Sequence, residues 1–341
     1  MLPFIWFCLV ALMIAGYVIL DGFDLGAGAI HLFVTRSAAE RKLVLRSIGA
    51  VWDGNEVWLL AAGGTLYFAF PPLYASSFSG FYLPLMMVLW LLILRGVSIE
   101  FRNHIDSPIW TPLWDAGFGI SSALLAIFFG AALGNVIRGV PLDQAGEFFL
   151  PLWTDFTPGP RPGVLDWYTI LIGVLAFLAL AMHGALWLNY KTEGDLNARA
   201  RSVARTLWWP LGLVMLAATA ASFSVQPRIL SNFREYPWGV VFPLLAVGGF
   251  AGMRWSKGEL QAFLWSCVFL AGMLTSAVFG VFPYVLPSNT SPTLGLTIYS
   301  AATAEYGLKA GLAWWIPGMT LAACYSVFVY RKFAGKVRDQ A

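Results

Sequence analysis

Nine runs of mostly apolar residues divide this chain, at roughly residues 3–34, 48–70, 79–99, 113–137, 164–190, 206–224, 238–254, 260–282 and 310–331. A membrane-spanning helix needs about 20 such residues. In lipid every backbone N–H and C=O must be satisfied within its own segment, so runs of this kind fold as helices. Of the 341 residues, 59% are hydrophobic and only 11% charged, where soluble domains carry about 25% charge. A soluble core of this length could not hide that much apolar surface. The expected fold is all-α: a polytopic membrane protein with about nine transmembrane helices in a single integral membrane domain. Two four-helix bundles, about 3–137 and 164–282, are joined by one extra helix near 310–331. No intervening segment is large enough for a soluble domain. The longest two, near 138–163 and 283–309, are proline-rich and are expected to lie over a membrane face.

Lys and Arg are retained on the cytoplasmic side, so the loop charges give an orientation. One side collects Arg36, Arg41, Lys42, Arg46, Arg95, Arg102, Lys191, Arg199, Arg201, Arg205, Arg254, Lys257, Arg331, Lys332, Lys336 and Arg338, which is 16 of the 21 basic residues. The other side has Arg138, Arg161, Arg228, Arg234 and Lys309. The N-terminus is therefore expected outside and the C-terminus in the cytoplasm. The basic residues fall in short clusters and the net charge is only +3, a topology signal and not a nucleic-acid footprint. No Lys or Arg precedes the first apolar run, and Asp21 and Asp24 follow it, so the run is expected to stay as the first span. Gly22 and Gly26, Gly130 and Gly134, and Gly248 and Gly252 each have the GxxxG spacing that lets helix backbones approach.

Ionisable groups inside spans are costly in lipid and are functional hypotheses by default. Here they are concentrated. Asp21 and Asp24 share one face of the first helix, and Gly28 and His31 continue that stripe. At 1.5 Å per residue Asp21 lies roughly 27 Å along the helix, in its cytoplasmic half. The second span carries Asp53 and Glu56 a turn or two above the cytoplasmic loop. The third ends with Arg95, Glu100 and Arg102, and the fourth begins with Asp115. Four consecutive helices thus place their charges at one depth. Carboxylates in a partly dry site can hold and pass on protons, so a cluster taking protons from the cytoplasm is one reading. The other is a purely structural network, with Arg95 paired to Asp24, Asp53 or Asp115.

The three histidines are His31, His104 and His183. A membrane haem commonly uses such side chains, and a bis-His haem between His31 and His183 is conceivable, although nothing in their spacing demands it. There is no P-loop, dinucleotide-binding glycine loop, HExxH or cysteine-rich metal site. Cys8, Cys267 and Cys324 lie in apolar stretches and read as small packing residues. Trp208–Trp209 and Trp314–Trp315 suit an interfacial belt.

Several stretches resemble subunit II of cytochrome bd-type quinol oxidases. They include Asp21-Gly22-Phe23-Asp24-Leu25-Gly26, Trp52-Asp53-Gly54-Asn55-Glu56-Val57-Trp58 with Ala62-Gly63-Gly64, and Ser79-Gly80-Phe81-Tyr82. Arg95-Gly96-Val97, Glu100-Phe101-Arg102, Trp114-Asp115, Gly134-Asn135, Lys191-Thr192-Glu193-Gly194, Phe282-Pro283, Thr293-Leu294 and Tyr330-Arg331-Lys332 continue the pattern. The resemblance covers about residues 4–338. It implies nine spans and a homologously folded, haem-bearing subunit I as partner, with two b-type haems and one d-type. This chain would hold no haem, and small single-helix subunits and a structural quinone or lipid are left open. The complex would oxidise quinol and reduce O₂ to water in the bacterial cytoplasmic membrane. A proton path between the subunits would use Asp21, Asp24 and Asp53, assisted by Glu56 and tuned by Arg95, Asp115, Glu100 and Arg102.

Two rival readings use the same residues. A proton-coupled secondary transporter would place its charges near the midplane in both halves of the chain; here they lie off the midplane and in one half. A purely structural subunit would use them only to hold helices together.

Overall fold

The computed structural model describes residues 1–105 and 107–337. Helix α1 (Leu2–Val34) runs unbroken for 33 residues and is followed by a short amphipathic helix, α2 (Ala38–Ile48). Helices α3 (Trp52–Ala69) and α4 (Pro71–Gly80) meet at Phe70 with a bend of 120°. The cause is local: Pro71 and Pro72 follow Phe70, and a residue before proline is driven out of the α region. Next come α5 (Tyr82–Phe101), α6 (Trp110–Arg138), α7 (Trp167–Lys191), α8 (Gly194–Val225), the short α9 (Arg228–Glu235), α10 (Val241–Trp255) and α11 (Glu259–Val281). A small antiparallel pair, β1 (Tyr284–Leu286) and β2 (Leu296–Thr297), precedes α12 (Glu305–Lys332). Among the described residues eight helices are long and apolar enough to cross a membrane, and nine if α3 and α4 count as one broken span. The all-α membrane architecture is thus present. Helices α2, α4 and α9 are elements that the hydropathy pattern does not mark.

Helix α1 is the axis of the packing, with α3, α6 and α7 against it. Every residue from Asp21 to His31 is buried. Two of the three glycine pairs make the close crossings their spacing predicts. Gly26 lies against the Leu180 carbonyl and Gly184, and Gly22 against the Leu180 side chain, so α1 and α7 approach to backbone contact. Gly130 and Gly134 do the same for α6 on α7, at Ile172 and Thr169. The third pair is corrected by one residue. Gly248 faces open space, and it is Gly249 that meets the Phe269 backbone, while Gly272 meets Ala246.

The two ends of the bundle differ. At the end where α1 begins, the segments flanking β1 and β2 and the α6–α7 connection fold over the helices. Val140 N–H donates to the Pro287 carbonyl (3.0 Å), and Asn289 Nδ2 to the Gly159 carbonyl (3.1 Å). Trp6, Leu142, Leu286, Ile298 and Leu308 form the apolar core beneath. Arg138, read from the sequence as a loop charge, is buried there in an ion pair with Asp166, whose other oxygen caps α7 at Tyr168 and Thr169. The opposite end is basic. Arg199 donates to the Val34 carbonyl (2.6 Å) and pairs with Glu40, and Lys191 Nζ donates to the Phe333 carbonyl (2.7 Å). Burial pushes the Glu40 carboxyl up, but the Arg36 amide and the Arg199 guanidinium outweigh it and hold it below the usual glutamate value. Arg338 lies outside the described residues. Cys8 and Cys324 are exposed on the outer face, so of the three cysteines only the half-buried Cys267 packs inward.

A methyl group at Gly26 has nowhere to go but into the α7 backbone. Gly26→Ala is expected to lower stability by about 1–3 kcal/mol or more, the usual cost of overpacking. Gly248→Ala, with open space around it, should be neutral. Thermal unfolding of the two variants in one detergent checks the contrast.

Candidate proton-transfer site

Two acids three residues apart on α1 have different fates. Arg95, from α5, donates from Nη1 to Asp21 Oδ2 at 2.8 Å and from Nη2 to Asp21 Oδ1. Both side chains are 0% exposed. A planar guanidinium against a carboxylate is the strongest ion-pair geometry available to side chains. It is also the one that makes a charge tolerable inside lipid. Neither the Asp24, Asp53 nor Asp115 pairing weighed from the sequence is formed by Arg95.

Among the described residues no cation forms an ion pair with Asp24. Its Oδ2 accepts from Asn55 Nδ2 at 2.7 Å, and Asn55 Oδ1 accepts from Tyr330 Oη at 2.8 Å. This chain joins α1, α3 and α12. Asp24 Oδ1 is buried and has no hydrogen-bond partner among the described residues. It is one of ten buried side-chain polar atoms among the described residues without a partner, and the one of them that belongs to a carboxylate; a buried polar group in that state calls for an explanation. The Asp21–Arg95 pair and Glu56 are within electrostatic reach of Asp24. Glu56 is half-buried and within reach of Arg95, Asp21 and Asp53. Asp53 lies in the first turn of α3, exposed on its outer face. The acids therefore run as a series from the surface of α3 to the interior of the bundle.

Asp115 belongs to a second cluster nearer the basic end. Arg102 pairs with both of its oxygens, and Arg41 Nη1 donates to Oδ2 at 3.2 Å. This ties α2, the end of α5 and the start of α6 together, separate from Arg95. Glu100 is exposed, and its contribution is a backbone carbonyl that meets His104 Nδ1 at 2.9 Å. The structure does not bring its carboxylate to either cluster, because it points away from the helix face that carries Arg95.

The histidines do not fit a shared haem. His183 meets Ser266 Oγ through Nδ1 (2.7 Å) and the Ile19 carbonyl through Nε2 (2.9 Å), so both nitrogens are engaged. His31 Nδ1 meets the Gly28 carbonyl at 2.7 Å, and the ring packs on Phe118. The rings meet α1 at Ile19 and at residue 31, about 18 Å apart along the helix. Among the described residues no group of three or more His, Cys, Asp or Glu could hold a metal ion.

Sequence reasoning that searches for ionisable residues misses Asn55 and Tyr330. Both are neutral, yet they orient Asp24. Their signal is a position in the recognised stretches, Asn55 beside Asp53 and Tyr330 beside Arg331. Arg41 is also missed as a partner, because it comes from a helix the hydropathy pattern does not mark.

The model of the family described as cytochrome bd terminal oxidase subunit II matches residues 2–333. A probable cytochrome oxidase subunit 2 from Haemophilus influenzae is 32% identical, covering 98% of this chain and 95% of the relative. A cytochrome bd-I ubiquinol oxidase subunit 2 from Escherichia coli is 31% identical over 99% of this chain and 96% of its own length. A cytochrome bd ubiquinol oxidase subunit 2 from Bacillus subtilis is 31% identical over 96% and 95%. The solved bd oxidase from Geobacillus thermodenitrificans shares the fold, with TM-score 0.76 at 19% identity and coverage of 97% of this chain and 98% of that one.

Arg95→Gln would leave Asp21 buried and unpaired. Removing one partner of such a pair costs about 3–5 kcal/mol. Asp21→Asn added to it should recover part of that loss, because it removes the stranded charge. The yield of folded protein from the single and double variants measures both effects.

Proposed function

The chain belongs to the cytochrome bd terminal oxidase subunit II family, a component of an oxygen-reducing quinol oxidase complex, and from that premise we propose that it takes up protons for the reduction of O₂ in its partner. In this reading the haem-bearing subunit I holds the b- and d-type haems and performs quinol oxidation and oxygen reduction. It docks against the outer face of α3, where Asp53 is exposed along with Val57 (51%), Leu60 (72%) and Tyr67 (62%). The complex sits in the bacterial cytoplasmic membrane with the basic end of this chain towards the cytoplasm and its N-terminus outside.

The roles within the chain follow from the geometry. Asp21 is committed to Arg95 and stays an ion pair, giving the site a fixed local field. Asp24 is the acid that accepts and releases a proton, at the unpartnered Oδ1. Asn55, itself held by Tyr330, keeps Oδ2 in place so that the proton has one address. Glu56 and Asp53 extend the path to the surface that faces the partner. Arg102 and Arg41 hold Asp115 at the basic end as a charged collar. The observation that carries this reading is the contrast between two buried acids three residues apart, one locked by a bidentate arginine and one left with a free oxygen.

In the assembled oxidase, Asp53→Asn and Asp24→Asn are expected to keep the haem absorption bands and the association with subunit I while quinol oxidase turnover falls severalfold. Normal turnover in both variants would overturn the proposal. Lost assembly with unaltered turnover per haem would assign these residues a structural role only.

A further inference from the structure

A second concentration of charge lies in the other half of the chain and takes no part in the site above. It surrounds a cleft of about 140 Å³ at the basic end, where α8, the end of α10 and the start of α11 meet. Arg201, Arg205, Arg254 and Lys257 line it, with Glu259 as the one carboxylate. Their source is three separate elements: two arginines one turn apart on α8, one at the last turn of α10, and a lysine in the tight turn before α11.

Glu259 does not neutralise this group. Its Oε2 is taken by Lys336 Nζ at 2.6 Å, and its Oε1 accepts from Asn197 at 2.9 Å, leaving Arg201 at 3.8 Å. Among the described residues no carboxylate lies within ion-pair distance of Arg205, Arg254 or Lys257. Like charges brought together on one concave surface repel unless an anion sits between them. The start of α11 adds to the demand, since Gly258 gives it no side-chain cap and its first amides carry the positive end of the helix dipole.

The surroundings say what kind of anion fits. Trp208 lines the cleft, with its indole donating to the Phe250 carbonyl at 3.0 Å. Beside the cleft, Trp209 (69% exposed) and Trp255 (73%) point outward, and on α8 the exposed Leu213 and Leu216 continue into the span. Indoles at this level and aliphatic side chains beyond them are the environment of a lipid headgroup and its acyl chains. Basic clefts between membrane helices hold such headgroups.

We propose that this cleft binds the phosphate of an anionic phospholipid, with the headgroup between Arg205, Arg254 and Lys257 and the acyl chains along the outward face of α8. The site goes beyond the proton-uptake reading and stands or falls independently of it, because lipid occupancy requires no proton transfer.

The test uses the full chain with its co-purifying partner in mild detergent, exchanged into phosphatidylglycerol or phosphatidylcholine. Bound lipid is counted by native mass spectrometry, for the wild type and for Arg205→Gln/Arg254→Gln/Lys257→Gln. The expected result is one fewer phosphatidylglycerol per chain in the triple variant, with phosphatidylcholine unaffected. Gel filtration establishes that the variant remains assembled, and if it does not, Arg254→Gln and Lys257→Gln singly are read by the same count, each expected to lower occupancy severalfold. An unchanged phosphatidylglycerol count in the assembled variants overturns the proposal. So does equal retention of phosphatidylcholine. Displacement of the lipid by millimolar inorganic phosphate would overturn the lipid assignment in favour of a soluble phosphate.

Discussion

The ion pair between Arg95 and Asp21 is the constraint around which this half of the molecule is built. Two full charges inside a lipid-facing bundle are tolerable only when each satisfies the other and no lipid reaches them. The first condition is met by the bidentate geometry, which fixes α5 against α1 at one depth. The second is met by the packing around the pair, which leaves both side chains 0% exposed, while on the other side of α1 the helix α7 closes through Gly22, Gly26 and Gly184 so tightly that a methyl group would not fit. The glycine face of α1 and its acidic face are thus two sides of one arrangement. One admits a neighbouring backbone and the other holds charge that the neighbours seal off.

A fixed pair also defines what the next acid can do. Asp24 sits three residues on, in the field of a cation already claimed by another carboxylate. It is held through one oxygen by a neutral amide, which a phenol holds in turn. A group so placed can gain or lose a proton without breaking an ion pair or dismantling a helix contact. In the proposed function, structural strength and proton exchange are divided between two aspartates of the same stripe, and the bundle would keep its packing whichever state the second one is in. The same division appears on a larger scale. The capped end is a folded lid of loops held by the buried Arg138–Asp166 pair, while the basic end carries exposed charge for which the bundle supplies too few carboxylates.

The membrane class and the spans were legible in the sequence, as was the burial of Asp21, Asp24 and Asp115 inside the bundle, because each rests on one strong rule. Apolar runs of sufficient length span, and charges within them are not accidental. Partner choice was not legible. Helical spacing says that Asp21 and Asp24 share a face, but it does not say which of them meets Arg95, since that depends on how α5 is rotated against α1. Asn55 and Tyr330 escaped because a neutral side chain carries no penalty that would single it out. Glu100 was grouped with Arg95 by nearness in sequence, although five positions along a helix turn it to a different face. Gly249 and not Gly248 makes the close contact for a similar reason: either glycine gives an acceptable spacing, and only the position of α11 chooses. The bend at Phe70 was written in its two prolines but hidden by the apolar residues around them.

The proposed role of Asp24 as the acid that exchanges protons is tested most directly by infrared spectroscopy of the assembled complex. Spectra recorded across a pH titration, in H₂O and in D₂O, should contain a protonated-carboxyl band that shifts on deuteration. This band is expected to disappear in Asp24→Asn and to move in Asn55→Leu, where the hydrogen bond to Oδ2 is lost. A band that persists unchanged in Asp24→Asn would place the exchanging proton on another group and contradict this role for Asp24.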